Sequence, residues 1–539
     1  MLRTKLISSL EKPFADESFD KYTEYKKMSA LAGETVSFQL LYTYEIDEEN
    51  RGFVVYKCAL SGALAEYASV RQVKNVGVQK PMGIYSDDNY LRTTPGVYPD
   101  VLVPFENGGE FGASCKVLNS LWIDVSLPED CSALEGLRDL TVTITRKSSG
   151  ATEGENTFTL DVINHKIGEE KTLHTEWVSA DSLAHHYRVP MWSEEHWEIV
   201  EKYLASARKN GVNVLHTPTN SLIVITKTSR GYRFNFKKFD RWLEMANRLG
   251  YKYIETNHLY SSGDGAYAAS LPYFENGEKK NIKGMRSTDP EVVKLVRAYL
   301  KALINHMKKV DDDKRLMFHI ADEPALKNID KFRASRDTVI DIIGDHIILD
   351  AIFDIEYYRE GLVNSPVPIT DHIDPFIAEK VPHLWTYYCT GPQRRYSNRF
   401  IAQSGACTRS IGMQLYKYDI EGFLHWALCY YGAGDTDGYV EPYLDQNGGN
   451  WVPAGDTFLL YPAYSKAPYE SLRFMILRDA FQDIRAMQEA EKYYSHGEIV
   501  SAIEEEFGGV LEFETCAKSS ETMLKIRERI NEMIRKATR

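Results

Sequence analysis

The chain has 539 residues, 43% hydrophobic and 26% charged, a balance that suits a globular protein of about two to four domains. Its 64 basic against 77 acidic residues give a net charge of −13, a field that disfavours nucleic acid and anionic membrane surfaces as partners and leaves neutral sugars open. The seven cysteines, Cys58, Cys115, Cys131, Cys389, Cys407, Cys429 and Cys516, are odd in number, scattered and without CxxC spacing. They read as reduced thiols rather than a disulfide framework.

The N-terminal stretch MLRTKLISSLEKPFADE has no apolar run of signal-peptide length, and no run of about 18 uncharged apolar residues occurs further on. The expectation is a cytoplasmic protein without a membrane span. Residues 1–165 read as strands. In ETVSFQLLYTY, Val36, Phe38, Leu40 and Tyr42 alternate at period two. SLWIDVSLP and DLTVTITRK repeat the pattern, and TVTITRKSSGATEGENTFTLDVIN reads as a hairpin around a polar, Gly-rich loop. These predict an antiparallel β-sandwich, ended by a polar linker at 163–171.

Beyond residue 171 the rhythm changes. EEHWEIVEKYLASARKNGVNVLHTP is a helical pattern, then Gly211, then a short apolar strand. FDRWLEMANRLGYKYIETNH repeats that order, as do two later segments. Helix, turn and apolar strand in repetition predict a parallel sheet, and a run this long predicts a TIM-like (β/α)8 barrel over residues 172–480. Candidate strands fall near 172–179, 211–217, 250–257, 316–322, 346–352, 382–388 and 421–429, one short of a full barrel. Residues 481–539 read as a helical extension packed on the barrel. The expected class is thus multidomain α/β, with a sandwich, a barrel and C-terminal helices. No glycine-rich dinucleotide fingerprint, P-loop or GxSxG elbow is present, and no cofactor is expected.

In barrel enzymes the chemistry gathers at the C-terminal ends of the strands. Here those ends carry Glu255 and His258, Asp322 and Glu323, Trp385 and Tyr387, and His425 and Trp426. The adjacent carboxylates in MFHIADEPA are the most informative. Along a regular strand neighbouring side chains face opposite ways, but at a bending strand end both can reach one cavity. Such a pair suits glycoside hydrolysis in which one carboxyl protonates the leaving oxygen and the other holds a 2-acetamido group, whose oxygen serves as nucleophile. Acidic residues before a proline also cap helix N-termini. His185 and His186 are adjacent and no HExxH spacing exists, so no metal site is expected.

Several segments resemble glycoside hydrolase family 123 and the related domain-of-unknown-function 4091 proteins. They are GETVSFQL, GVYPDVLVP and LWIDV in the front part, then GVNVLHTP, HIADEP, VPHLWTYYC, YSNRFI, KYDIEGFLHW and GDTFLLYP, in order from about residue 32 to 480. The resemblance implies a retaining exo-β-N-acetylgalactosaminidase using substrate assistance on an oligosaccharide or glycoconjugate. It implies that Asp322 orients the acetamide and stabilises an oxazolinium, and that Glu323 is general acid and then base. It also implies a sugar pocket lined by Glu255, His258, Trp385, Tyr387, Asn398, Arg399 and Trp426. Two departures border that pocket. TNHLYSSGDGAYAASLPYF lacks an expected Trp–Gly pair, and HWALCYYGAGDTDG replaces a YWGLN-like segment. They bear on which sugar, linkage or decoration is accepted. The competing readings are a two-carboxylate hydrolase of another sugar, with Glu255 across the cleft, and a non-catalytic carbohydrate-binding relative.

Overall fold

The computed structural model describes residues 1–46, 52–87, 89–105, 108–434 and 436–538. The chain divides into two compact units. One comprises Met1–Lys171, Gln393–Lys417 and Cys429–Arg539, the other Thr172–Pro392 and Tyr418–Leu428.

The first unit holds two five-stranded sheets. One runs in the order Leu2–Ser8, Thr35–Tyr44, Asn119–Ser126, Ala68–Val78 and Gly96–Pro104, the other Lys27–Ala32, Thr152–Lys166, Gly136–Arg146, Phe53–Ser61 and Glu110–Ser114. Pairing is antiparallel except between Thr152–Lys166 and Lys27–Ala32. The period-two residues Val36, Phe38, Leu40 and Tyr42 all enter the shared core. Phe38 stacks on Phe158 of the other sheet with centroids 4.0 Å apart. The alternate residues Ser37, Gln39, Leu41 and Thr43 are also buried, Leu41 packing with Ile7 and Leu118, while Thr35 and Ser37 bond to Gln482 and Arg478 of the helix Leu472–Ala490. Arg478 donates to Asp124 Oδ1 at 3.2 Å and to Ser37 Oγ at 2.7 Å. Burial alone would raise the Asp124 carboxyl, but the Arg478 and Arg71 charges hold it well below the usual range. The first segment of this unit ends at Lys171 and the second unit begins at Thr172. The grouping differs beyond residue 392, where 393–417 and 429–539 cluster with the sandwich.

The second unit contains eight parallel strands: β1 (Leu173–Glu176), β2 (Val214–Thr217), β3 (Tyr253–His258), β4 (Leu316–His319), β5 (Ile347–Ile352), β6 (Ser365–Pro368), β7 (Trp385–Tyr387) and β8 (Gly422–His425). Their spatial order is β6-β5-β4-β3-β2-β1-β8-β7. A parallel bridge between Ile369 and Tyr387 joins the two edges, so every strand neighbours its successor in the chain. Seven strands coincide with those read from the sequence. The eighth, SPVP, was hidden by Pro366 and Pro368, which lack the N–H that a ladder needs and read as loop. Strand β6 pairs with β5 from Leu349↔Ser365 to Ile352↔Pro368 and meets β7 by that one bridge.

Helices separate successive strands. Glu194–Lys209 starts on Ser193, whose Oγ accepts from His196 N. Lys237–Leu249 ends at Gly250, in the left-handed conformation that glycine adopts without strain. Leu173, Val214, Met317, Leu349, Val367, Trp385 and Leu424 fill the barrel interior. Among the described residues no helix is long and apolar enough to cross a membrane.

Candidate active site

The C-terminal ends of β1 to β4 bring an unusual number of polar groups into the barrel. Strand β3 carries an irregularity between Glu255 and His258, so that Glu255 pairs with Met317 and His258 with His319. Such a bulge re-aims side chains at the rim of a barrel. Glu255 is fully buried. One of its oxygens accepts from Trp177 Nε1 at 2.8 Å and lies 2.7 Å from His319 Nε2, and the other accepts from Thr175 Oγ1. Burial opposes the charge on Glu255, but the hydrogen bond and charge of His319 win and hold the carboxyl below its ordinary value. Burial likewise opposes the charge on His319, and Glu255 overcomes it and raises the imidazole. Both directions favour a buried ion pair. Trp177 stacks on His216, centroids 4.8 Å apart, and meets His258 edge-on at 5.4 Å. Burial pushes His216 down to about 4 and His258 well below the usual value, so both are neutral near pH 7.

Past His319 the backbone is tied on both sides. Tyr260 N donates to Ile320 O at 2.9 Å, and Gly263 N to Asp322 O at 2.8 Å. On the β5 side Glu323 N donates to Ala351 O at 3.0 Å. Asp350 Oδ1 accepts from Ile320 N at 2.8 Å and Ala321 N at 3.1 Å. Glu323 has φ 44°, a left-handed conformation that costs a non-glycine residue about 1–3 kcal/mol and concentrates at functional sites. It breaks the alternation of the strand, and the adjacent carboxylates diverge. Asp322 Oδ1 lies 3.9 Å from His258 Nε2 on β3, while Glu323 Oε1 accepts from the Tyr387 hydroxyl on β7.

The Asp322 side chain is 38% exposed. Burial and the charge of Glu323 push its carboxyl up to about 6, against the opposing effects of His319 and a hydrogen bond from Ser262. This group changes charge near neutrality and sits beside a second carboxylate, a pairing suited to acid–base chemistry.

The structure thus assembles Asp322, Glu323, His258 and Tyr387 at one mouth, with Glu255 beneath, linked through His319. Trp385 is almost wholly buried in the barrel interior, against Gly422, where an added Cβ would meet its ring at 2.3 Å. Trp426 is half-buried just past β8, its ring 6.3 Å from that of His425. Asn398 and Arg399 belong to the first unit and are fully buried, with Arg399 Nη2 donating to Asp456 O at 2.6 Å. Of the segment HWALCYYGAGDTDG, Asp435 lies outside the described residues. Sequence reasoning missed Thr175, Trp177, His216, His319 and Asp350. A signal was present, since β2, β3 and β4 each carry a histidine at or next to their C-terminal end. Among the described residues no group of three or more His, Cys, Asp or Glu has the arrangement to hold a metal ion.

A family model described as the glycoside hydrolase 123 catalytic domain matches residues 177–490. Among solved structures the chain is similar to a family 123 glycoside hydrolase from Clostridium perfringens, whose structure details glycolipid glycan hydrolysis. Identity is 14%, the TM-score is 0.76, and the match covers 100% of this chain and 98% of that one. At that identity the likeness bears on the fold. A family 5 glycoside hydrolase from Bacteroides vulgatus (9% identity, TM-score 0.31, 61% of this chain and 68% of that one) superposes poorly. So does a β-D-glucuronidase from Dictyoglomus thermophilum (10%, 0.31, 85% and 69%). No curated protein matches.

Proposed function

The chain belongs to glycoside hydrolase family 123 and is a glycoside hydrolase, and on that premise we propose that it acts as a retaining exo-β-N-acetylgalactosaminidase by substrate assistance. The substrate is an oligosaccharide or glycoconjugate ending in a β-linked 2-acetamido sugar. Asp322 accepts the acetamide N–H and turns the acetamide oxygen towards C1. That oxygen attacks C1 as Glu323 protonates the leaving glycosidic oxygen, giving an oxazolinium whose positive charge faces Asp322. Glu323 then takes a proton from water, the water opens the ring at C1, and two inversions leave the configuration retained.

The observation that carries this reading is the divergence of Asp322 and Glu323 towards β3 and β7 at one barrel mouth. Glu255 adds support. A two-carboxylate mechanism needs an exposed nucleophile across the cleft, and Glu255 is buried with both oxygens engaged. A panel of aryl β-glycosides tests the proposal. We expect turnover of the N-acetylgalactosaminide, inert β-galactosides, and a thiazoline mimic of the cyclic intermediate that binds far more tightly than the free sugar. A β-galactoside hydrolysed as fast as its 2-acetamido counterpart refutes substrate assistance, and silence across the panel favours a carbohydrate-binding role.

A further inference from the structure

Asp350 lies in the middle of β5 and is fully buried. A parallel ladder joins β4 to β5 only at Met317↔Ile347 and Phe318↔Ile348. Beyond it β4 peels away, and Ile320 and Ala321 have no backbone acceptor on that side. Asp350 supplies one. Its Oδ1 takes both N–H groups, at 2.8 and 3.1 Å, and the next donor along, Glu323 N, reaches Ala351 O. A side chain therefore replaces the ladder over the two residues that precede the catalytic pair. The opposite edge of the same segment is held through Ile320 O and Asp322 O by the chain after β3.

We propose that Asp350 is a positioning residue for the hydrolytic reaction, its carboxyl oxygen setting the backbone from which Asp322 and Glu323 diverge. This rests on the reading of that pair as the catalytic groups. Catalysis is sensitive to such placement, and an error of about 1 Å arising away from the reacting atoms can lower rate about a hundredfold. What matters is an acceptor at Oδ1. The other oxygen, Oδ2, is buried without a partner among the described residues, and burial pushes the carboxyl up to about 8, so the neutral acid prevails near pH 7. A carboxamide retains the acceptor.

The test uses the full chain with 4-nitrophenyl β-N-acetylgalactosaminide and compares Asp350→Asn, Asp350→Ser and Asp350→Ala, with Asp322→Asn as control. We expect Asp350→Asn to keep kcat within about threefold. The two short variants should lose about a hundredfold in kcat with KM nearly unchanged, and hydrogen exchange across 317–325 should quicken. Asp350→Ser serves if Asp350→Ala does not fold. If neither short variant folds, a loss of about a hundredfold in Asp350→Asn overturns the proposal and retention of kcat upholds it. A folded short variant with unmodified kcat overturns the proposal, and so does Asp350→Asn losing as much as the short variants. An Asp322→Asn control at unmodified kcat instead sinks the catalytic pair. Exchange then decides Asp350 on its own, with unchanged rates across 317–325 removing its structural role.

Discussion

The Tyr387 hydroxyl donates a hydrogen bond to Glu323 Oε1, tying the residue that ends β7 to a carboxylate that follows β4. Burial and the negative charge of Glu323 raise the phenol well above its ordinary value, so it stays a donor throughout the working pH range. The bond engages one oxygen of Glu323, and on the proposed mechanism the other meets the leaving group.

If Glu323 is the general acid, its importance depends on the leaving group. Glu323→Gln should lose about 10² to 10⁴ in kcat/KM on natural glycosides, the usual span for general acid–base catalysis. Loss on activated nitrophenyl substrates should be much smaller. Tyr387→Phe should show the same selectivity at lower amplitude. Steady-state kinetics on both substrate classes decide, and equal losses would remove Glu323 from the acid role.

The pH profile separates the two carboxyls. Asp322 is pushed up to about 6 by burial and the charge of Glu323, and on the proposed mechanism it must be ionised to face a developing cation. In the free protein kcat/KM should therefore rise with pH through about 6, and Asp322→Asn should abolish that limb. Were Asp322 the acid instead, the rate would fall above about 6. The sign of the limb is the readout.

Glu255 anchors the floor of the site. Replacing it with Gln leaves the His319 imidazolium without its buried counter-charge, and removing one partner of such a pair costs about 3–5 kcal/mol. A lowered urea midpoint is the expected result. After incubation with a 2-fluoro glycoside, mass spectrometry should find no label on the peptide bearing Glu255. A labelled Glu255 would falsify substrate assistance.

Asp350 should also shape stability. Its carboxyl titrates at about 8 in the folded chain against an ordinary 3.8, raised mainly by burial, with His319 opposing and Asp322 adding to the shift. The folded state thus binds the extra proton, and stability falls as pH rises from about 4 to about 8. Asp350→Asn removes this slope. The difference in Tm between variant and unmodified protein should grow in the variant's favour across that window and then level off. A constant difference would contradict the assignment.

Much of this was legible in the chain itself, for identifiable reasons. Period-two alternation around Phe38 and the helix–strand rhythm after residue 171 are local signals, and both units follow them. SPVP failed because proline suppresses the strand signal even where tertiary pairing tolerates it. Asp322 and Glu323 stood out because two charges interrupt an apolar run. Asp350 did not, since its donors, Ile320 and Ala321, lie about 30 positions earlier, and a single acid inside ILDAIF carries no mark of its bonds. Glu255 was visible as a strand-end acid, but its three partners come from β1, β4 and the residue after β1, which no local pattern predicts. The C-terminal helices are amphipathic whichever surface they cover, so their grouping with the sandwich was not encoded in their periodicity.

The placement of the two neighbouring carboxylates makes them a caliper. Asp322 is referenced to the wall around β3 and Glu323 to β7, and in the order of this barrel those strands stand four joints apart whichever way the ring is followed. Residues adjacent in the chain thereby meet side chains of opposite strands, His258 and Tyr387. On the proposed reading, a sugar held by both carboxyls is in contact with groups referenced to opposite sides of the barrel at once.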